Sequence, residues 1–156
     1  MNGFNSFFDF SHDTMQESGG VLSVPYGYYT LTLLSSEFYS NAGTTGAVIY
    51  SVRAVVRQTI KYCTFKGNTA SGTGGGQGGV MYMVLGTYTN DISSSMFANN
   101  SAVQYGGVVY GSIMTRVAAS TFDSNSAITD GGVFYLTALL KGVLKVNMAS
   151  ILDNNC

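Results

Sequence analysis

The sequence predicts an all-β fold, a parallel β-helix of about five to six coils with about three strands in each coil. Two motifs alternate along the chain: a Phe-x-x-Asn tetrad, and a Gly-Gly or Gly-Ala pair followed by Val. The phenylalanines of three successive tetrads, Phe65, Phe97 and Phe122, lie 32 and 25 residues apart. Such a period is typical of solenoids. Glycine pairs inside the units, and the lack of a helical periodicity, exclude a helical-hairpin or leucine-rich repeat.

The tetrad predicts a short strand followed by a corner. The clear copies are Phe38–Asn41, Phe65–Asn68, Phe97–Asn100 and Phe122–Asn125, and the degenerate copies are Phe10–Asp13 and Leu152–Asn155. Two residues before the phenylalanine the side chain is always small, whereas the next position varies freely, which indicates a strand with one buried face. Because like residues lie on successive coils, we expect the phenylalanines to stack. We expect the asparagines to form a hydrogen-bonded ladder.

The glycine pair predicts a sharp corner where positive φ is needed, followed by a β-strand. The residues after the pair run Val, a variable position, and then mostly Tyr. If Val and Tyr face the interior, the variable position faces solvent. That position holds Leu22, Ile49, Met81, Val109 and Phe134, all of them apolar. We therefore expect an exposed apolar stripe that forms an interface with another molecule.

Composition excludes several classes of partner. Charged residues make up 10% of the chain and the net charge is −1, so no nucleic-acid partner is expected. No apolar run approaches the ~18 residues of a membrane helix, so no membrane insertion is expected. The N-terminus has neither the basic region nor the apolar core of a secretory signal peptide. We expect one domain over residues 1–156, in which 1–15 match the repeat poorly and 16–156 form coils that end partway through a turn.

No cluster of residues predicts chemistry. The stretch from Gly74 to Gly79 contains G-x-G-x-x-G, but a predicted strand follows it where a dinucleotide site needs a helix. The acidic residues are scattered: Asp123 and Asp153 share a predicted column, but about one coil apart. His12 is the only histidine. We expect no catalytic residue, no metal site and no cofactor, and hence a protein that is not an enzyme.

Two sites are candidates for covalent modification. Asn99-Asn-Ser101 is an N-glycosylation sequon, with Asn99 as the acceptor. Cys63 occupies the small-residue column and is expected to be buried. An intrachain bond from Cys63 to Cys156 would span roughly 15 Å, which is too far for a disulfide. Cys156 is therefore a candidate for an intermolecular disulfide.

The paired motif, Phe-x-x-Asn followed by Gly-Gly-[Ala/Val]-[Ile/Val/Leu], resembles the repeats of polymorphic outer membrane proteins of the chlamydial type. The resemblance extends from about Phe10 to Asn155. It implies a right-handed, pectin-lyase-like parallel β-helix that is extracellular or on a cell surface and is often adhesive.

These observations predict a structural protein, a self-associating extracellular building block of a surface filament or fibre. Self-association would be end-to-end or lateral. Two alternatives stay open. One is a segment of a larger adhesin that binds a glycan or a host or surface protein. The other is a polysaccharide-acting enzyme.

Overall fold

The computed structural model describes residues 9–11, 20–24, 26–72, 74–85, 87–111, 114–137, 143–147 and 149–156. The described residues form short strands in parallel sheets and contain no helix. The predicted fold class, a parallel β-solenoid, is confirmed. Each coil passes in turn through four sheets, which we number in the order of the chain.

The sheets stack like residues of successive coils on one another. Sheet 1 contains β1 (Asp9–Ser11), β4 (Glu37–Tyr39), β8 (Thr64–Lys66), β12 (Met96–Ala98), β16 (Thr121–Asp123) and β20 (Ser150–Leu152). Sheet 2 contains β5 (Ala42–Gly43), β9 (Thr69–Ala70), β13 (Ser101–Ala102) and β17 (Ser126–Ala127). Sheet 3 contains β2 (Leu22–Val24), β6 (Ile49–Val52), β10 (Met81–Val84), β14 (Val109–Gly111) and β18 (Phe134–Leu136). Sheet 4 contains β3 (Gly27–Leu34), β7 (Ala54–Lys61), β11 (Thr87–Ser93), β15 (Met114–Ala118) and β19 (Val143–Asn147).

The coil differs from the prediction in two details. It has four strands rather than three, because a further two-residue strand, such as β13, follows each Asn corner. The described chain makes about four complete turns, because only four coils contribute a strand to every sheet. Sheet 2 accordingly has four strands, whereas sheet 1 has six. The estimate of five to six coils counted every tetrad, including the incomplete coils that carry β1 and β20.

A stack of phenylalanine rings fills the centre of the solenoid. Phe38, Phe65, Phe97 and Phe122 pair in register and are fully buried. Successive ring centroids are 4.7, 4.7 and 4.8 Å apart, with interplanar angles of 3°, 4° and 5°. The rings follow the spacing of neighbouring strands, so each coil supplies one layer of the same aromatic column.

Buried asparagines form a continuous ladder beside the phenylalanines. Asn100 Nδ2 donates to Asn125 Oδ1 at 2.9 Å and to the carbonyl of Phe65 at 3.0 Å. Asn100 Oδ1 accepts from the backbone N–H and from Nδ2 of Asn68. Both amide hydrogens and both lone pairs are therefore used inside the protein. Asn41, Asn68 and Asn125 donate in the same way to the next coil.

The ladder continues at Asn154, so the predicted last copy, Leu152–Asn155, is wrong by one residue. Ile151 pairs with Phe122, and Asn154 Oδ1 accepts from Asn125 Nδ2 at 2.9 Å. The sequence allows both registers, because Asn154 and Asn155 are both asparagine. Backbone pairing of Asn155 with Ser126 selects one of them.

The corrected register also separates the two aspartates that were predicted to share a column. Asp123 pairs with Leu152 rather than with Asp153. Asp13, of the first degenerate tetrad, lies outside the described residues.

Serines close the corner before each phenylalanine strand. Ser36, Ser95 and Ser120 each donate Oγ–H to the carbonyl two residues earlier, at 2.8 to 2.9 Å. Cys63 occupies the same column, is buried, and its Sγ lies 3.4 Å from the Lys61 carbonyl. The residue before each of them has positive φ, as at Ala119 with φ 46°. One left-handed residue thus turns the chain, and the hydroxyl bridges the turn.

Sheet 4 contains a second column of buried polar side chains, and this column lacks the hydrogen bonds that connect the asparagine ladder. Gln58, Asn90 and Thr115 pair in register and are fully buried. Gln58 Oε1 and Nε2, Asn90 Oδ1 and Thr115 Oγ1 have no hydrogen-bond partner among the described residues. Asn90 Nδ2 lies 3.5 Å from the sulfur of Met83, which is a weak acceptor. Because a buried polar group without a partner costs free energy, we expect this column to be less favourable than the asparagine ladder.

We expect Asn100→Leu to lower the free energy of unfolding by about 3 kcal/mol or more, because the backbone N–H and Nδ2 of Asn68 lose an acceptor and the Phe65 carbonyl and Asn125 Oδ1 each lose a donor. Urea denaturation measures the change. The matched control is Asn99→Gly, at an exposed position with φ 53°, where glycine is tolerated. Equal effects of the two substitutions would contradict a stabilising role for the ladder.

We expect Thr115→Val to raise the free energy of unfolding by about 1 kcal/mol, since it removes a buried hydroxyl without a partner and conserves volume. Thr59→Val, at a half-buried position on the outward side of β7, is the control and should change stability by less than about 0.5 kcal/mol. A clear loss of stability on Thr115→Val would show that the hydroxyl is bonded.

Candidate functional site

The predicted apolar interface column is wrong, because it lies inside the solenoid. Ile49, Met81 and Val109 are at most 1% exposed, and Leu22 and Phe134 pack against the core. The backbone N–H groups of Val48 and Ile49 both donate to the Val80 carbonyl, at 3.0 and 2.9 Å. The chain therefore bends at the valine instead of alternating, and valine and the next residue both point inward. Alternation begins only after this pair.

The tyrosines that follow consequently face outward. Tyr50, Tyr82, Tyr110 and Tyr135 are half-buried and stack with ring centroids 5.4, 5.2 and 5.4 Å apart. Tyr105 lies tilted against Tyr135, with centroids 4.6 Å apart. Burial, with the neighbouring Tyr135 and Tyr105, raises the pKa of Tyr110. We call these five residues the tyrosine ridge; its ring faces cover one another and its edges meet solvent.

The acidic residues do not converge. Asp91 and Arg116 form an exposed ion pair on sheet 4, with 3.7 Å between carboxylate and guanidinium. No three His, Cys, Asp or Glu side chains are close enough to hold a metal ion within the part of the chain that the structure describes. His12 and Glu17 lie outside the described residues. Two acidic residues, Asp9 and Glu37, are register partners on the neighbouring strands β1 and β4.

The G-x-G-x-x-G stretch forms a corner. The N–H groups of Gly75 and Gly76 both turn back to the Gly72 carbonyl, at 3.2 and 3.1 Å. Gln77 Nε2 donates to Gln104 Oε1 of the next coil at 3.2 Å, and β10 begins at Met81. A helix N-terminus, which would bind a pyrophosphate, does not follow.

The candidate modification sites lie at different depths. Asn99 is exposed at a corner with φ 53°, so its side chain points away from the ladder formed by Asn100. Cys156 is an exposed free thiol, and Cys63 is a buried one. Burial raises the pKa of the Cys63 thiol above its ordinary value. Glycosylation at Asn99 and an intermolecular disulfide at Cys156 stay predictions.

The terminal strands of the stack expose side chains whose register neighbours in the middle coils are buried. We call β18, β19 and β20 the last rung, because each is the final strand of its sheet. Ile151, Val146 and Leu144 of this rung are 51%, 45% and 38% exposed. Their register neighbours in the preceding coil, Phe122, Val117 and Thr115, are 0–2% exposed. The sequence analysis missed these three residues as surface features, although their membership of buried columns was a readable signal.

The opposite end contains a recess. We call β2 and β3 the first rung, because each is the other terminal strand of its sheet. The recess has a volume of about 220 Å³. It is lined by Leu22, Tyr29, Thr30, Leu31, Ile49, Ser51 and Met83. These residues come from the first rung and from the two coils behind it.

Comparison with protein-family models, with curated proteins and with solved structures found no match. No helix long and apolar enough to span a membrane occurs in the described part of the chain. The exposed last rung, the recess of the first rung and the tyrosine ridge are the surfaces of the described residues that a partner could contact.

We expect a thiol reagent to modify Cys156 rapidly in the native protein and Cys63 only slowly. The thiolate is the reactive form, and burial disfavours it at Cys63. Mass spectrometry of the native and the urea-denatured protein, with Cys63→Ser and Cys156→Ser as controls, measures each site. Equal native rates at both thiols would contradict the buried position of Cys63.

Proposed function

We propose that this chain is a non-enzymatic structural protein, a self-associating extracellular building block of a surface filament or fibre. The observation that carries the proposal is the contact between coils: columns of phenylalanine and asparagine join one coil to the next through the same interactions, and the last described rung presents three apolar side chains of such buried columns. Unpaired strand edges are templates for further strands. The last rung has both exposed apolar side chains and unpaired strand edges. A further coil that covers this surface would therefore stabilise it.

The magnitudes support association through this surface. Full burial of an aliphatic side chain contributes about 1.5 to 3 kcal/mol, and Ile151, Val146 and Leu144 are between 38% and 51% exposed. Each new backbone hydrogen bond contributes about 1 kcal/mol. The loss of translational and rotational freedom costs about 4 kcal/mol or more. Several strands pairing at once exceed that cost, whereas a single exposed side chain does not.

The motif supports a finer assignment. The columns of phenylalanine and asparagine that lock the coils are the residues by which the sequence resembles the polymorphic outer membrane protein repeats. We extend the proposal accordingly to a right-handed, pectin-lyase-like β-helix located at a cell surface. The exposed corner that carries the Asn99 sequon is compatible with an extracellular location.

The tyrosine ridge favours a second candidate function, a segment of a surface adhesin. Tyrosine is enriched at protein interfaces, where its ring buries apolar area and its hydroxyl meets polar partners. The stacked ring faces are already covered by one another, which leaves no flat platform for a sugar ring. The ridge therefore favours a protein over a glycan as the ligand of such an adhesin.

Self-association is tested by electron microscopy and light scattering of the purified chain over a dilution series. We expect fibres of constant width, and we expect the double variant Val146→Lys/Ile151→Lys to stay monomeric because it places charges on the docking surface. Met96→Lys is the matched control: it adds a lysine at an exposed position on the side of a middle coil.

Two outcomes would contradict the proposal. One is a native protein that is monomeric at every concentration. The other is assembly that survives the double variant. Loss of assembly on Met96→Lys but not on the double variant would indicate lateral association through the sides of the solenoid.

A further inference from the structure

We propose that the tyrosine ridge contains a site of oxidative cross-linking, at which a peroxidase-type oxidant joins Tyr105 to Tyr135 by a carbon–carbon bond. The product is a dityrosine that connects two successive coils of one chain. The proposal goes beyond the proposed function and does not depend on self-association, because both tyrosines belong to the same molecule.

The first argument is the distance between the two rings. The ring centroids of Tyr105 and Tyr135 are 4.6 Å apart, and the ring planes are inclined by 34°. The stacked pairs of the ridge are wider, with centroids 5.2 to 5.4 Å apart and planes that differ by only 1° to 5°. Inclined rings approach each other through one edge, and the ortho carbons that couple in a dityrosine are edge atoms. Within the ridge, this pair is therefore the one best placed for the bond.

The second argument is that contacts between the same two coils hold both tyrosines. The backbone of Tyr105 forms a parallel bridge with Asp130 of the next coil. The N–H of the following residue, Gly106, donates to the Asp130 carbonyl at 3.1 Å. Tyr135 in β18 is the register partner of Tyr110 in β14. The fold thus keeps the two reacting rings together, which replaces a collision between molecules by a reaction within one chain.

The third argument is that the ridge combines access with a partner. Tyr105 and Tyr135 are half-buried, and the ring edges of the ridge meet solvent, where an oxidant reaches them. Tyr26, Tyr28 and Tyr62 are more accessible, at 65%, 86% and 58% exposure. In the described part of the chain, however, none of these three stacks on another tyrosine. A radical formed on one of them has no described tyrosine ring beside it with which to couple.

The reaction removes two hydrogen atoms from the protein. Each phenol loses one electron and one proton to the oxidant and becomes a phenoxyl radical. The two radicals couple through one ortho carbon, Cε, of each ring. The hydrogen on each coupled carbon then leaves as a proton while each oxygen takes up a proton, which restores both hydroxyl groups. With hydrogen peroxide as the terminal oxidant, the two hydrogen atoms reduce one peroxide to two water molecules.

The bond would make the contact between two coils covalent. It closes a loop of chain from Tyr105 to Tyr135, and such a loop lowers the conformational entropy of the unfolded state. We therefore expect the cross-linked monomer to unfold at a higher urea concentration than the untreated protein.

Treatment of the purified chain with a haem peroxidase and hydrogen peroxide tests the site. Trypsin separates the two tyrosines, since Tyr105 lies in peptide 67–116 and Tyr135 is the only tyrosine of peptide 117–141. We expect dityrosine fluorescence in the monomer band of a denaturing gel. We expect mass spectrometry of that band to find the two peptides joined, with the loss of two hydrogen atoms. Fragment-ion spectra of the joined peptides identify the coupled residues directly.

Two conservative variants test the assignment of Tyr105. Tyr105→Phe keeps the ring but removes the phenol, and we expect it to abolish the joined peptides. Tyr110→Phe is the matched control, because Tyr110 lies in the same tryptic peptide and stacks on Tyr135 with centroids 5.4 Å apart. We expect this control to retain the joined peptides. Urea unfolding of both variants before oxidation shows whether the fold is kept.

Each outcome decides for or against the proposal. Joined peptides that are coupled at Tyr105, lost on Tyr105→Phe and retained on Tyr110→Phe support it. Coupling at Tyr110 would overturn the assignment of the site. Dityrosine only in multimers, formed through Tyr26, Tyr28 or Tyr62, or no dityrosine at all, would also overturn the proposal. None of these results bears on self-association, which light scattering tests separately.

Discussion

The hydrogen bonds of the asparagine ladder are the constraint on which the rest of the structure depends. The amides of Asn68, Asn100 and Asn125 each bond to the amides of the coils above and below, and Asn100 uses all four of its hydrogen-bonding capacities. Such a network tolerates neither a change of register nor a change of spacing. The phenylalanine rings, at 4.7 to 4.8 Å, follow the same repeat. Differences in length between the described coils lie outside these columns, as in the glycine-rich corner before β10.

In a stack of this kind, each middle coil contacts a coil above and a coil below, whereas each terminal strand has a neighbouring strand on one side only. On the sides, the tyrosine ridge consists of rings that cover each other, and the other exposed residues are polar except for separate apolar side chains such as Ile128 and Met96. At the ends, the same columns stop at side chains such as Ile151 that have a neighbour on one side only. The physical interaction that builds each coil is thus also the one available for joining copies. This continuity connects the fold to the proposed role as a filament subunit.

Sequence reasoning located the repeat but failed where the chain departs from simple alternation. The bend at Val48 directs two successive side chains inward, and this reverses the predicted orientation of Ile49 and Tyr50. Similarly, the two adjacent asparagines near the C-terminus left the last register ambiguous, and only backbone pairing with Ser126 resolves it. The buried polar column that contains Gln58 was not predicted at all. In the strands of sheet 4, polar residues occupy both inward and outward positions. The sequence pattern therefore does not show which polar residues are buried.

The sequence alone determined the fold class, the corners and the residues that stack, because contacts between the coils of a solenoid join residues one repeat apart. Residues that touch between coils recur at nearly constant spacing, so contact can be read as repetition. The tertiary structure decided which face each column occupies, how many strands form a coil, and what the two ends expose. These properties depend on single backbone torsions at the corners and on the missing neighbours of the terminal strands. Neither produces a repeating pattern in the sequence.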